Sequence, residues 1–237
     1  KSVFENADLT LATSYTDAEN FRKNGANAFC ITNGFDKQET TEGSNPFLSA
    51  QKFTLSYVGV LEQLRNPENL WNAIYFLLNN NQDFADDFEL KFVGRIDEII
   101  LQQLKHLGID HIVNNLGYLA HDESVNEMEN SDLLLITNFP NESSKGIIPG
   151  KLFEYLATGK QIISFGPKDA DVETILNKTK AGKHFDYSEN EEISDFILSL
   201  YKDWKSGKSI QNSANINEFS RKELTQKLAE LLTDLKR

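Results

Sequence analysis

The sequence predicts an α/β fold, a Rossmann-like parallel sheet with helices on both faces. Two observations carry this reading. Short runs at 53–58, 88–93, 132–137 and 161–165 have the length of strands, and the one at 132–137 is hydrophobic enough to be buried on both faces. Between them stand stretches with helical spacing of apolar residues, so strand and helix alternate as in successive βαβ units.

Taken in order, residues 8–13 read as a strand, and Thr16-Asp-Ala-Glu19 as a capping box for a helix running to Gly25. Residues 28–32 form a second short strand, ending in the turn signal Asn33-Gly34-Phe35-Asp36. The polar segment 37–52, with Gly43 and Pro46, reads as a linker that sets a preceding domain apart from the rest of the chain. A strand at 53–58 then leads to a helix at 67–79 with Leu70, Trp71, Ile74, Leu77 and Leu78 on its buried side. Asn79-Asn-Asn81 marks that helix's end. Strand 88–93, helix 96–107, strand 111–116, helix 123–130 and strand 132–137 come next. Pro149 suits the first turn of a helix over 151–157, and Gly159 stops it before strand 161–165. A helix at 172–177, a weak strand at 182–185 and helices at 191–205 and 219–236 complete the chain.

The 237 residues suffice for one large domain or two small ones. A net charge of -12 argues against a general nucleic-acid surface or attraction to anionic lipid. An anionic ligand then binds only where Lys and Arg reverse the field locally. The single cysteine, Cys30, excludes a disulfide within the chain and fits a reducing compartment. No apolar run reaches membrane-spanning length and no signal peptide is visible, so a cytoplasmic protein is expected. The chain opens on Lys1 rather than Met, and is expected to be part of a longer protein.

Ligands on such sheets collect at the carboxyl ends of the strands. There Gly59 precedes Arg65, Gly94 precedes Arg95, Gly117 precedes Tyr118, a long loop over 138–150 follows the fourth strand of the regular part, and Gly166 precedes Pro167. Each glycine alone is a tight turn; together on one rim they point to a binding cleft.

The most informative stretch is 139–165, FPNESSKGIIPGKLFEYLATGKQIISF. Lys151 lies in the first turn of a helix, against the positive end of its dipole, which costs roughly 0.3–1 kcal/mol unless an anion offsets it. Backbone N–H groups at that end already favour an anion, and Lys145 and Gly146 in the approaching loop are placed to close over it. Glu154 lies one turn deeper on the same face. A cation followed by a carboxylate suits a diphosphate and the hydroxyls of an attached ribose; the same spacing also fits a surface Lys–Glu pair.

Other chemistries lack their motifs. His106, His111, His121 and His184 do not have metal-ligand spacing, and no metal or other cofactor is expected. GxGxxG, GxxxxGKS and GxSxG are all missing from the sequence. What remains is a phosphate-plus-hydroxyl site without an evident catalytic acid or base.

The succession NGFD, SYVGVLEQLRNPENL, KFVG, LGYLAHDESVNEMENSDLLLIT and KGIIPGKLFEYLATGKQIISFGP resembles the C-terminal domain of two-domain GT-B glycosyltransferases of the family 4 type. It covers essentially the whole chain, and PGKLFEYLATGK is its most specific piece. The resemblance implies half of a GT-B fold that binds a nucleotide-diphosphate sugar, while an N-terminal domain binds the acceptor. It divides the chain into 1–36, the end of the acceptor domain and the crossover; 37–52, the linker; 53–215, the donor-binding domain; and 216–237, a C-terminal helix. It makes Glu154 the ribose acid and Arg65 and Lys151 the cations that neutralise the leaving diphosphate. Gly146, Ile147 and Ile148 offer N–H groups to phosphate, with Gly59 and Lys145 beside them, and Gly94, Tyr118 and Leu119 border the nucleobase. It further implies cell-surface polysaccharide biosynthesis, with the whole enzyme either free in the cytoplasm or peripheral to the inner membrane face.

Two positions depart from the family pattern. Gly146 stands where a second acid is usual, eight residues before Glu154, and Val60 where Arg is usual. The departure at Gly146 bears on sugar recognition. A nucleotide-sugar epimerase on the same fold and a non-catalytic nucleotide-binding module are the alternatives.

Overall fold

The computed structural model describes residues 2–36, 52–208 and 216–235. The expected linker over 37–52 therefore falls almost wholly outside the described residues, as does the end of the expected donor-binding domain.

Strand β3 (Phe53–Val58) is buried along its whole length, because both of its faces are covered. It pairs in parallel with β4 (Phe88–Val93), from Phe53 opposite Phe88 to Val58 opposite Val93. On its other side lies β6 (Leu133–Thr137), with Leu55 opposite Leu133. Strands β5 (Val113–Gly117), β7 (Gln161–Phe165) and β8 (Gly182–Phe185) complete a six-stranded sheet in the order β5-β4-β3-β6-β7-β8. All its pairings are parallel. The order runs outward from β3 in one direction and outward from β6 in the other. The chain thus reverses between β3 and β6, the place where sheets of this order part their loops and take ligands.

Helices α3 (Glu68–Asn80), α4 (Gln82–Asp87), α5 (Glu98–His106) and α9 (Glu191–Lys205) cover one face. Trp71, Ile74, Ile100, Leu104 and Ile197 pack there on Leu55, Tyr57 and Phe92. Each such burial contributes roughly 1.5–3 kcal/mol. Trp71 meets Phe92 edge-on at 6.1 Å and donates its indole N–H to Asn66 at 2.6 Å, so its polar end is satisfied. Helices α6 (His121–Glu129), α7 (Lys151–Thr158) and α8 (Asp171–Thr179) cover the other face through Met128, Leu152, Tyr155, Leu156 and Ile175.

The first residues form α1 (Ser2–Asn6) and a separate parallel pair, β1 (Thr10–Ala12) and β2 (Ala28–Cys30), joined by α2 (Tyr15–Lys23). A single turn at Asn217–Phe219 precedes α10 (Arg221–Asp234), capped by the Ser220 hydroxyl. Lys227 on α10 donates to the carbonyl of Cys30 at 3.0 Å, joining the last helix to the first sheet.

Several local expectations are corrected. Ser14, not Thr16, caps α2 by accepting the Asp17 N–H; the Thr16 hydroxyl instead donates to Asp171 at 2.8 Å. Asn33 to Asp36 make no turn. Phe35 bridges to Ser220, and Gly34 is required because a Cβ there would stand 2.3 Å from the Phe219 carbonyl oxygen. The asparagine run ends α3 and also starts α4, since Asn81 accepts the Phe84 N–H at 3.0 Å. Asp132 lies outside β6, its carboxylate taking the Thr54 N–H at 2.9 Å. Pro149 precedes α7 rather than opening it, its carbonyl accepting from Leu152.

Candidate anion-binding site at the carboxyl rim

The loops after β3 and β6 bring together residues far apart in sequence. β3 ends in Gly59, with φ of +125°, and β4 in Gly94, with φ of +115°. These values are open to glycine at little cost. A Cβ on Gly94 would lie 2.2 Å from the Gly59 carbonyl oxygen, so the two turns stack with no room between them. The Gly59 N–H donates to Val93 at 2.7 Å and the Gly94 N–H to Gly117 at 2.6 Å, continuing the sheet ladder into the rim.

Helix α7 points its amino end at this rim. Its first position follows Gly150, which supplies no side-chain cap. Among the described residues the N–H groups of Gly146 and Ile148 find no protein acceptor, whereas that of Ile147 donates to Ser144 at 2.9 Å. Of the three N–H groups expected to meet phosphate, two are thus free and one is engaged.

Lys151 leaves the first turn of α7 and crosses to β3. Its Nζ donates to the Val58 carbonyl at 2.9 Å, stands 3.9 Å from the centre of the Tyr57 ring, and lies where a Cβ on Gly59 would be 3.0 Å away. Among the described residues no carboxylate comes within ion-pairing distance of it. Burial, then the neighbouring Arg65 guanidinium, pull its pKa down to about 7; Glu154 opposes them. A half-neutral amine without a counter-ion is a group an anion would recharge.

Arg65 sits in a single turn, Gln63–Arg65, beyond Gly59. Its Nη2 donates to the Val60 carbonyl and to Glu62, both at 3.0 Å, and the guanidinium lies 5.3 Å over the Phe139 ring. Its Nε is buried without a partner among the described residues. The Tyr187 hydroxyl donates to Asn138 at 2.6 Å and lies 3.2 Å from the Arg65 carbonyl oxygen, tying the two loops together. Glu154 is exposed on α7, one turn beyond Lys151, with no ion pair among the described residues.

The remaining expected residues are placed less centrally. Lys145 pairs with Glu142 at 2.8 Å, so its charge is already matched. Gly146 packs under the start of α2: a Cβ would meet Ser14 Oγ at 3.1 Å and Thr16 Cβ at 3.2 Å, so a larger side chain there requires Ser14 and Thr16 to give way. Ile147 is 44% exposed at the loop tip, while Ile148 packs on the α7 side of the core. Tyr118, at 91% exposure, projects beyond β5, and Leu119 packs against the core.

Sequence reading missed Tyr57, Phe139 and Tyr187, whose aromatic rings and hydroxyls hold the cations and loops in place. Tyr57 alternates with Phe53 and Leu55 and so reads only as core. A cavity of about 350 Å³ between α2, β2 and α10 is electrostatically unsuited to a diphosphate, with Glu218, Glu223 and Glu230 around one Lys227. Among the described residues no His, Cys, Asp and Glu group could hold a metal ion, and no helix is long and apolar enough to cross a membrane.

No protein-family model and no curated protein sequence matches the chain. Solved structures do share its fold. It superposes on HepE (Alr3699) of Anabaena in complex with UDP and glucose with a TM-score of 0.73 at 18% identity, over 98% of this chain and 65% of that one. Sucrose-phosphate synthase of Thermosynechococcus elongatus gives 0.71 at 16% identity, over 99% and 60%. The lipopolysaccharide outer core galactosyltransferase WaaB gives 0.67 at 16%, over 96% and 62%. The expected Rossmann-like half of a GT-B fold is thus present. The chain spans less than two thirds of the length of each of these proteins.

Proposed function

We propose that this chain is the nucleotide-sugar donor-binding part of a glycosyltransferase that moves a hexosyl group to an acceptor held elsewhere in the full protein. The observation that carries the reading is the convergence of Lys151, Arg65 and the start of α7, which no side chain caps, at the switch between β3 and β6, where parallel sheets of this order take their ligands. The same fold holding UDP and glucose in the Anabaena protein supports it.

In this reading the diphosphate lies against the amino end of α7. It accepts from the Gly146 and Ile148 N–H groups and from Lys151, while Glu154 accepts from the ribose hydroxyls. Gly94, Tyr118 and Leu119 border the base. In transfer the bond from the anomeric carbon to the diphosphate oxygen breaks as the acceptor oxygen attacks, and negative charge grows on the leaving nucleoside diphosphate. Lys151, Arg65 and the helix end stabilise that charge more than the ground state, which is where such a site accelerates the reaction. The acceptor and any base that takes its proton belong to the domain of which 1–36 forms the end, so this chain alone binds donor and transfers nothing. The C-terminal, family 4-type assignment, a metal-independent reaction, a cytoplasmic or membrane-peripheral setting and a role in cell-surface polysaccharide synthesis go with the reading.

The space at Gly146, filled by Ser14 and Thr16, favours as second reading a module that keeps the nucleotide and has lost transfer. A calorimetric panel of uridine, guanosine and adenosine diphosphates and their sugars tests both. Binding of one nucleotide family, weakened by about 1.5–3 kcal/mol in Lys151→Ala, is expected. Unchanged affinity in that variant rejects the site, and no binding to any nucleotide rejects the reading.

A further inference from the structure

The cation cluster depends on one buried side chain that touches no ligand in the donor-site reading. Tyr57 is fully buried at the end of β3, with its two ends on different parts of the site. Its ring face lies 3.9 Å beneath Lys151 Nζ, and its hydroxyl donates to the Val60 carbonyl at 2.7 Å. That same carbonyl accepts from Arg65 Nη2 at 3.0 Å. One residue therefore supports Lys151 through its π-face and, through Val60, the turn from which Arg65 reaches.

We propose that Tyr57 is the positioning residue of the anion site, setting the charge and place of Lys151 through its ring and the place of Arg65 through its hydroxyl. The proposal rests on the donor-site reading for its functional meaning, but its contacts are independent of that reading. A ring face carries negative potential, so it favours an ammonium above it. That support matters here because the other groups around Lys151 pull in opposing directions. Arg65 on the segment after β3 disfavours its charge, with Glu62 already paired to Arg65. Glu154 on α7 favours it from one turn away. Tyr155 on α7 and Tyr187 beyond β8, pushed up by burial, stay neutral phenols near neutral pH. Val58 supplies the sole acceptor found for the amine among the described residues. With the ring's support removed, the amine is left with the Val58 carbonyl and the Glu154 carboxylate against burial and the Arg65 guanidinium. The hydroxyl acts separately. Without it the Val60 carbonyl keeps only Arg65 as partner among the described residues, and the Gly59–Val60 turn is free to tilt.

The test compares Tyr57→Phe with the same position carrying 3,4,5-trifluorophenylalanine. The two side chains are nearly identical in shape, but fluorine drains the ring face, so folding is kept while the electrostatic support is lost. The Lys151 side chain is followed by carbon NMR through a pH titration of the ligand-free protein, its signal assigned by loss in Lys151→Arg. The proton affinity of Lys151 is expected to fall roughly three- to thirtyfold from phenylalanine to its fluorinated analogue, the range of a partly desolvated cation–π contact. Superposable titrations would overturn the ring's role. In parallel, Tyr57→Phe is expected to weaken UDP-glucose binding severalfold at a pH where Lys151 is fully charged; native affinity there would overturn the hydroxyl's role. Because the titration needs no ligand, failure of UDP-glucose to bind the unaltered protein would defeat the donor-site reading while leaving the Tyr57–Lys151 result standing.

Discussion

Ligand binding should take up a proton, and the size of the effect is set by the place of Lys151. Its pKa of about 7 in the free site means that roughly nine-tenths of the amines are neutral at pH 8. A diphosphate beside the amine favours the charged form, so binding draws a proton onto Lys151. Affinity is therefore highest below about pH 7, where the amine is already charged, and falls as pH rises. For a complex in which Lys151 stays charged throughout, the loss between pH 6 and pH 9 is roughly a hundredfold, or about 3 kcal/mol. UDP-glucose is the ligand of choice because its diphosphate has no ionisation of its own in this range. Isothermal calorimetry at pH 8 in buffers of different ionisation enthalpy should give an uptake of about 0.9 proton per ligand bound. In Lys151→Met both the uptake and the pH slope should vanish. Flat affinity from pH 6 to pH 9 with no proton uptake in the unaltered protein would refute the reasoning.

Other perturbations have outcomes of known sign. Lys151 is charged more readily in the unfolded chain than in the folded one, so the unfolded state binds the extra proton between about pH 7 and 10.5 and stability rises with pH through that window. Lys151→Met should then stabilise the ligand-free protein at pH 7 by about 1–3 kcal/mol, after discounting for solvent around a half-buried side chain, as read by denaturant melts. Glu154 is exposed, so Glu154→Gln should leave the melt unchanged and weaken UDP binding by roughly 1.5–3 kcal/mol. That loss should disappear with a dideoxyribose nucleotide; if it does not, Glu154 is not the ribose acid. Gly94→Ala should cost about 2–5 kcal/mol, from a left-handed φ and a contact 2.2 Å from the Gly59 carbonyl, seen as a fall in Tm. Asp171 is buried and accepts from both the N–H and the hydroxyl of Thr16, so Asp171→Ala should cost roughly 1–3 kcal/mol and loosen residues 14–16, measured by hydrogen exchange.

Much of this architecture is legible in the sequence because both period and chemistry declare it. The strands at 53–58, 88–93 and 161–165 are found at the expected residues, since each is a short run rich in aromatic and aliphatic residues that a glycine follows directly. Helix α7 and its glycine stop are equally plain, and Gly159 does adopt the left-handed φ of +69°. Less legible is whatever depends on which loop faces which. The strand order around β3 and β6 makes the switch, and spacing alone does not reveal it. Nor does spacing reveal that Lys145 is matched by Glu142, that the Ile147 N–H is taken, or that Gly146 lies beneath Ser14. Turn chemistry misled at Asn33-Gly34, where a close backbone approach, not a reversal, requires the glycine. Tyr57 was hidden for the opposite reason, because a buried aromatic in a strand looks like packing whatever else it does.

The place of the diphosphate decides the function of this rim. A crystal structure of the protein with UDP-glucose should place the diphosphate at the start of α7, within hydrogen-bonding distance of Lys151 Nζ and of the Gly146 and Ile148 N–H groups, with Glu154 on the ribose. A diphosphate bound elsewhere on the chain, or Lys151 still on the Val58 carbonyl with no phosphate oxygen near it, would contradict the account.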